Sequence, residues 1–215
     1  ICIKNISGLI TVGIDYSLSY DEHMNKVALI TGSAKRIGAA IVKSVHQSGL
    51  NVIVHHHYSK VEAEHLTQEL NQLRPNSAKN ISLDLNKYLH YKELIKYCID
   101  QFGRLDVLIN NAARFDPMNV NVKAPLFLMK EASTELKKNN GCIINITDIH
   151  GEKPLAGYPV YSTTKAALIM LTKVMAKELA PDVRVNAISP GAIDWPEDMS
   201  STQKKQILDK IPMKQ

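Results

Sequence analysis

A single α/β domain built on a doubly wound parallel sheet is what three observations in this sequence predict. Short apolar runs and helix-patterned stretches alternate from Lys26 onward. A glycine-bearing turn, Thr31-Gly32-Ser33-Ala34-Lys35-Arg36-Ile37-Gly38, joins the first apolar run to the first helical stretch. A chain of 215 residues with 45% apolar side chains suits one such core, and no internal repeat or low-complexity tract competes with it. Strict alternation of this kind implies parallel pairing, helices on both faces and a ligand site outside the carboxyl ends of the strands.

The elements follow in order. Residues 26–31 form a short apolar run with the look of a buried strand. Helical spacing begins at Lys35, continues through 39–47 and is closed by Gly49. A strand over 51–57, a helix over 60–73 and a strand over 80–83 come next, then a helix over 88–102 and a strand over 105–110. The second half reads as a helix from Asn121 to about Lys138, a strand over 142–147, a long helix over 158–179 and a strand over 183–188.

Gly32 and Gly38 let backbone N–H groups approach a pyrophosphate at a helix N-terminus. The spacing departs from G-x-G-x-x-G, and Arg36 stands in the place of an intervening glycine. Read alone, the segment fits nucleotide binding and a tight structural turn about equally.

A second constellation lies further on. Tyr161 and Lys165 are spaced i, i+4 on the long helix and so project from one face, about a turn apart. An ammonium there would lower the phenol's pKa and make Tyr161 a usable proton donor. Alone, the same pair reads as a solvated helix face. Asp148, at the end of the preceding strand, gives it company.

The cofactor expectation rests on the second strand. A carboxylate at its end would grip a ribose 2′-OH, yet the residues there are His55-His56-His57-Tyr58-Ser59-Lys60, with no acid until Glu62. Lys35 can reach the same place. Cations and hydroxyl donors such as His57, Tyr58 and Ser59 suit a 2′-phosphate, so NADPH is expected rather than NADH. The histidine run also invites a metal, but consecutive strand residues point to alternate faces and nothing else supplies a ligand set, so no metal is expected.

Together these pieces resemble the short-chain dehydrogenase/reductase family. The resemblance is carried by T-G-x-x-x-R-x-G at 31–38, Asp84-Leu85 after the third strand and Asn110-Asn111-Ala112-Ala113 after the fourth. Asn121 opening a helix, the Tyr161/Lys165 pair and Pro190-Gly191 after the sixth strand complete it, so that it spans 26 to about 214. It implies a Rossmann-like fold with a nicotinamide cofactor held by Gly32, Lys35, Arg36, Ile37, Gly38, Asp84, Leu85, Asn111, Ala112, Ala113, Lys165, Pro190 and Gly191. It further implies that Asp84 accepts from the adenine amine, that Lys165 binds the nicotinamide ribose, that Asn121 supports a water chain from Lys165, and that the protein is a homo-oligomer, a tetramer. Asp84 also reads as a plain acid near a helix start, and Asn121 as a residue fixing a kink.

Three details are similar to the bacterial pteridine reductases within that family: Arg36 for a glycine, Asp148 where most members carry serine, and Phe115 after the Asn-Asn-Ala turn. The stretches 148–151 and 191–197 read the same way. Asp148 bears most on substrate. Serine donates a hydrogen bond to a carbonyl oxygen, whereas an ionised aspartate cannot donate and repels a developing alkoxide. A substrate protonated at a ring nitrogen benefits from a carboxylate, and reduction of a pterin C=N bond meets that description. Phe115 would then stack on the pterin and Arg36 would bridge pyrophosphate and the pterin's polar edge. The plainer readings are a core phenylalanine, a surface arginine and an aspartate that caps a strand in a dead site. A ketone reductase of the same fold and a nucleotide-binding protein without turnover are the competing functions.

Charge and cysteines narrow the partners. A net charge of +5 with no basic run argues against nucleic acid and fits an anionic cofactor. Cys2, Cys98 and Cys142 form no paired framework, which fits a cytoplasmic location. No apolar stretch is long enough to span a membrane. Residues 1–25 read as an extension ahead of the domain at 26–215. That domain is expected to be incomplete: fewer positions separate Asn111 from Asn121 than the family usually places there, and the chain ends before a seventh strand and last helix.

Overall fold

Val27, Ala28, Leu29 and Ile30 have no solvent exposure at all, and the strand they form, β1 (Val27–Ile30), lies at the centre of the sheet. A computed structural model describes residues 25–114, 118–191 and 199–209. After β1 come α1 (Arg36–Gln47), β2 (Asn51–His56), α2 (Lys60–Leu73), β3 (Ala78–Ser82), α3 (Leu89–Phe102) and β4 (Val107–Asn110). A π-helical turn at Asn119–Lys123 leads into α4 (Ala124–Lys138). Then follow β5 (Cys142–Ile146), a 3-10 turn at Ile149–Gly151, α5 (Pro159–Leu179), β6 (Arg184–Ile188) and α6 (Ser201–Leu208).

The strand order is β3-β2-β1-β4-β5-β6, with every pairing parallel. The chain runs outward from β1 to β3 and then returns to β4 beside β1, so the order reverses between those two strands. A doubly wound sheet opens its crevice at that reversal. In this Rossmann-like arrangement the expected fold class is the one observed.

Alternation along β1 divides the core between two layers. Val27 and Leu29 pack with Leu94, Leu108, Leu128 and Met175 on one face. Ala28 and Ile30 pack with Ile41, Val42, Val54 and Leu66 on the other. Each of the larger side chains among these, removed from water, stabilises the fold by about 1.5–3 kcal/mol before its entropy cost. The same burial on both faces explains why the strands read as continuous apolar runs rather than alternating ones.

Most boundaries fall within a residue or two of the sequence reading, and two of the differences are informative. β3 occupies Ala78–Ser82 instead of 80–83, because Asn71 Oδ1 accepts from the backbone N–H of Ser77 and of Ala78, each at 3.0 Å, and fixes the entry of the chain. Its polar residues Lys79 and Asn80 are tolerated at a sheet edge. The helix expected from Asn121 starts as the π-helical turn, and α6 lies beyond the last expected strand. No helix among the described residues is long and apolar enough to cross a membrane.

Candidate active site

The site is built where β1 and β4 end side by side. Thr31 Oγ1 accepts from Asn111 N at 3.0 Å and from Ala112 N at 3.1 Å. Asn111 Nδ2 in return donates to the carbonyls of Thr31 and Gly32, both at 2.9 Å. The turn after β1 and the turn after β4 are therefore one hydrogen-bonded unit. Gly32 has φ +59°, and a Cβ there would come within 2.8 Å of Ala112 Cα. A Cβ on Gly38 would lie 2.6 Å from both Gly32 O and Ser33 Cα. Neither position has room for a side chain, so bare backbone faces the crevice.

Arg36 explains its own departure from the glycine pattern. It holds φ +51°, in the left-handed region where a side chain costs roughly 1–2 kcal/mol, which is why a glycine is the easier residue at that place.

A cleft of about 520 Å³ opens over this unit. Of the residues expected around a cofactor, Gly32, Lys35, Arg36, Ile37, Gly38, His57, Tyr58, Leu85, Asn111, Ala112 and Ala113 line it, and Tyr161 stands on its wall. Ser59, Asp84 and Lys165 are not on the wall: Ser59 sits at the start of α2, Lys165 is buried, and Asp84 Oδ1 accepts from Asn86 N and Nδ2 at 3.0 and 2.9 Å. Asp84 Oδ1 also lies 3.8 Å from His57 Nδ1, and these contacts hold its carboxyl below the usual range. Pro190 and Gly191 follow β6 beside the 3-10 turn, where Pro190 O accepts from Ile149 N at 3.2 Å. Phe115 lies outside the described residues, as does 192–197.

Sequence reasoning missed His55, Leu83, Arg114 and Val120, which also line the cleft. His55 matters most of these. Its Nδ1 accepts from Gly32 N at 3.1 Å and its Nε2 meets Leu83 O at 3.0 Å. An N–H donor at one nitrogen and a carbonyl at the other fix the neutral tautomer protonated on Nε2. Burial lowers its pKa to about 4.

The second constellation comes together at the end of β5. Asp148 caps the 3-10 turn, its Oδ1 accepting from His150 N at 2.8 Å. The turn lies tight on α5: a Cβ on Gly151 would be 2.9 Å from the Lys165 carbonyl carbon. That contact brings Tyr161 to Asp148, and the phenol donates to Asp148 Oδ2 at 2.7 Å. Lys165 is almost fully buried, its ammonium donating to Ile146 O at 3.0 Å and standing 5.7 Å from the centre of the Tyr161 ring. Asn121, also buried, pairs with both backbone groups of Arg114 (2.9 and 2.7 Å) and donates to Thr164 Oγ1 at 3.0 Å. It thereby ties the loop after β4 to the π-helical turn and to α5.

One expectation is reversed here. Lys165 was expected to lower the phenol's pKa, but the pKa of Tyr161 is raised, first by burial and then by its hydrogen bond to Asp148. The ammonium is spent on the Ile146 carbonyl instead of the phenol oxygen. Burial in turn lowers Lys165 to about 8, which leaves it mostly charged at neutral pH.

Comparison with known proteins decides the family. The short chain dehydrogenase family model matches residues 26–206. This chain belongs to the short-chain dehydrogenase/reductase family. Pteridine reductase 1 of Leishmania tarentolae is 31% identical, over 88% of this chain and 84% of its own. The 3-oxoacyl-[acyl-carrier-protein] reductase of Staphylococcus epidermidis is 35% identical, over 89% of this chain and 85% of its own. An uncharacterised oxidoreductase of Staphylococcus aureus is 34% identical, over 79% of each chain.

Members of this family are oxidoreductases that use NAD(P)H, and the residues present fit that cofactor. The turn at Gly32 and Gly38 admits no Cβ, Ala112 and Ala113 keep the opposite wall low, and the cleft runs from that turn to Tyr161.

Proposed function

We propose that this protein is an NADPH-dependent reductase of pterin C=N bonds, carrying dihydropteridines to the tetrahydro level. The observation that carries the reading is the 2.7 Å hydrogen bond to Asp148 Oδ2 from Tyr161, which stands on the cleft wall. A carboxylate placed where a substrate oxygen would otherwise take a hydroxyl donor opposes ketone chemistry and favours a basic nitrogen. The likeness to pteridine reductase 1 supports the same substrate class.

Bound NADPH supplies the hydride, and the protein supplies binding, orientation and a proton. In the proposed reaction the C=N carbon takes the hydride and the nitrogen takes a proton from the Asp148–Tyr161 pair. Lys165 would hold its positive charge beside that pair. Arg36, on the cleft wall, would contact the pterin. The preference for the 2′-phosphorylated cofactor is supported by Lys35, His57 and Tyr58 on the cleft wall and by a second strand that ends without an acid.

The similarity to a 3-oxoacyl reductase favours a second reading, a ketone substrate of the same fold. Oxidation of NADPH by the full chain, measured with dihydrobiopterin, dihydrofolate and a panel of ketones, separates the two. Turnover of the pterins alone is expected, and Asp148→Ser should lower it by about 10²-fold, the scale of a positioned acid–base group. Ketone turnover without pterin turnover, or an unchanged Asp148→Ser variant, refutes the pterin reading.

A further inference from the structure

Lys35 stands on the cleft wall beside His57 and Tyr58, where the proposed function puts a 2′-phosphate. Its ammonium is already engaged. Lys35 Nζ forms an ion pair with Glu62 Oε1, and the two side chains are 52% and 43% exposed. Glu62 belongs to the first turn of α2, where a helix dipole favours an acid, and Lys35 holds its carboxyl below the usual range. The next lysine, Lys60, is itself paired with Glu64 at 3.7 Å.

We propose that Glu62 sets how strongly this cleft discriminates for a 2′-phosphate, by acting as the counterion that the phosphate must displace from Lys35. This rests on the NADPH reading above. Lys35 and Glu62 sum to no net charge, so an incoming phosphate dianion meets a neutral pair instead of a cation. A half-exposed pair is weak and opens readily, which lets the phosphate take the ammonium. The displaced carboxylate remains on α2 within a few ångströms and repels the dianion. Glu62 is thus the first acid after β2 without being a grip for a ribose hydroxyl, because its oxygen is turned to the lysine.

The test uses two fragments, adenosine 2′,5′-bisphosphate and adenosine 5′-monophosphate, titrated calorimetrically into the full chain and into Glu62→Gln at low salt. The wild type should bind the bisphosphate more tightly. Glu62→Gln should tighten the bisphosphate a further five- to tenfold, roughly the effect of removing one nearby surface charge, and leave the monophosphate unchanged. In Lys35→Gln/Glu62→Gln the bisphosphate should bind no more tightly than in the wild type, because the ammonium that the phosphate takes is gone. A wild type with no preference for the bisphosphate overturns the NADPH reading and this inference together. A wild type that prefers it, with the same preference in Glu62→Gln, overturns the inference alone. Weaker monophosphate binding in Glu62→Gln means that the carboxylate grips the ribose, and also overturns it.

Discussion

Acidification should weaken this fold through His55, and the size of the effect follows from its environment. The ring is 2% exposed and held neutral between Gly32 N and Leu83 O. Its pKa is about 4 in the folded protein and about 6.5 in an unfolded chain. The unfolded state therefore takes up a proton first as pH falls, so the stability is intact above about pH 6.5 and is lost between there and pH 4. The loss from this one group is about 2 kcal/mol between pH 7 and pH 5, and about 3 kcal/mol once both states are protonated. His46 has the same low value of about 4, by burial and the nearby Arg74, so the wild type carries both slopes. His55→Gln isolates the first. Urea unfolding followed by circular dichroism at pH 7 and pH 5 should show a pH-dependent loss about 2 kcal/mol smaller in the variant, whatever its stability at pH 7. If the variant loses as much as the wild type on acidification, His55 is not the titrating group and the neutral bridge between the glycine turn and β3 is misread.

Gly38→Ala should weaken cofactor binding at least tenfold and lower the melting temperature by several degrees, since its Cβ would meet backbone atoms at 2.6 Å that cannot move aside; fluorescence titration and thermal melts check both. Lys165, with a pKa of about 8, should lose its charge as pH rises through that value, so kcat should fall above about pH 8. A kcat flat to pH 10 would show that the ammonium takes no part.

The fold was legible because the strands are buried on both faces and advertise themselves as apolar runs, as at Val27–Ile30. The glycine turn, Asn111-Ala112 and the Tyr161/Lys165 spacing marked the site for the same reason: each needs particular residues at fixed offsets. What the sequence hid were interactions between distant segments. Nothing in the run His55-His56-His57 says that the first ring bridges Gly32 and Leu83, because that depends on how β2 lies against its neighbours. Lys35 was visible as a cation and Glu62 as the nearest acid, but their pairing required α1 and α2 in place. The direction of the Tyr161 pKa was misjudged from spacing, because an i, i+4 neighbour sets proximity and not which oxygen the ammonium bonds.

That direction bears on the chemistry proposed. A phenol hydrogen-bonded to a carboxylate in a half-buried site is a poor acid toward a ketone oxygen, for the carboxylate stabilises the protonated phenol and opposes the negative charge that forms. Toward a ring nitrogen the carboxylate opposes the forming phenolate just as much, but there it also meets the charge of the acceptor. A base that approaches Asp148 gains a positive charge as it takes the proton, and Asp148 stabilises that charge at hydrogen-bond range. Lys165 does not compete for this role, since its ammonium is held by the Ile146 carbonyl, 5.7 Å from the centre of the phenol ring. The raised pKa of Tyr161 slows proton donation to either substrate, and it is the aspartate at 148 that favours the nitrogen. The pair is ill suited to protonating an alkoxide and well suited to sharing a proton with a nitrogen base, and the cleft beside it leads from the glycine turn to that proton.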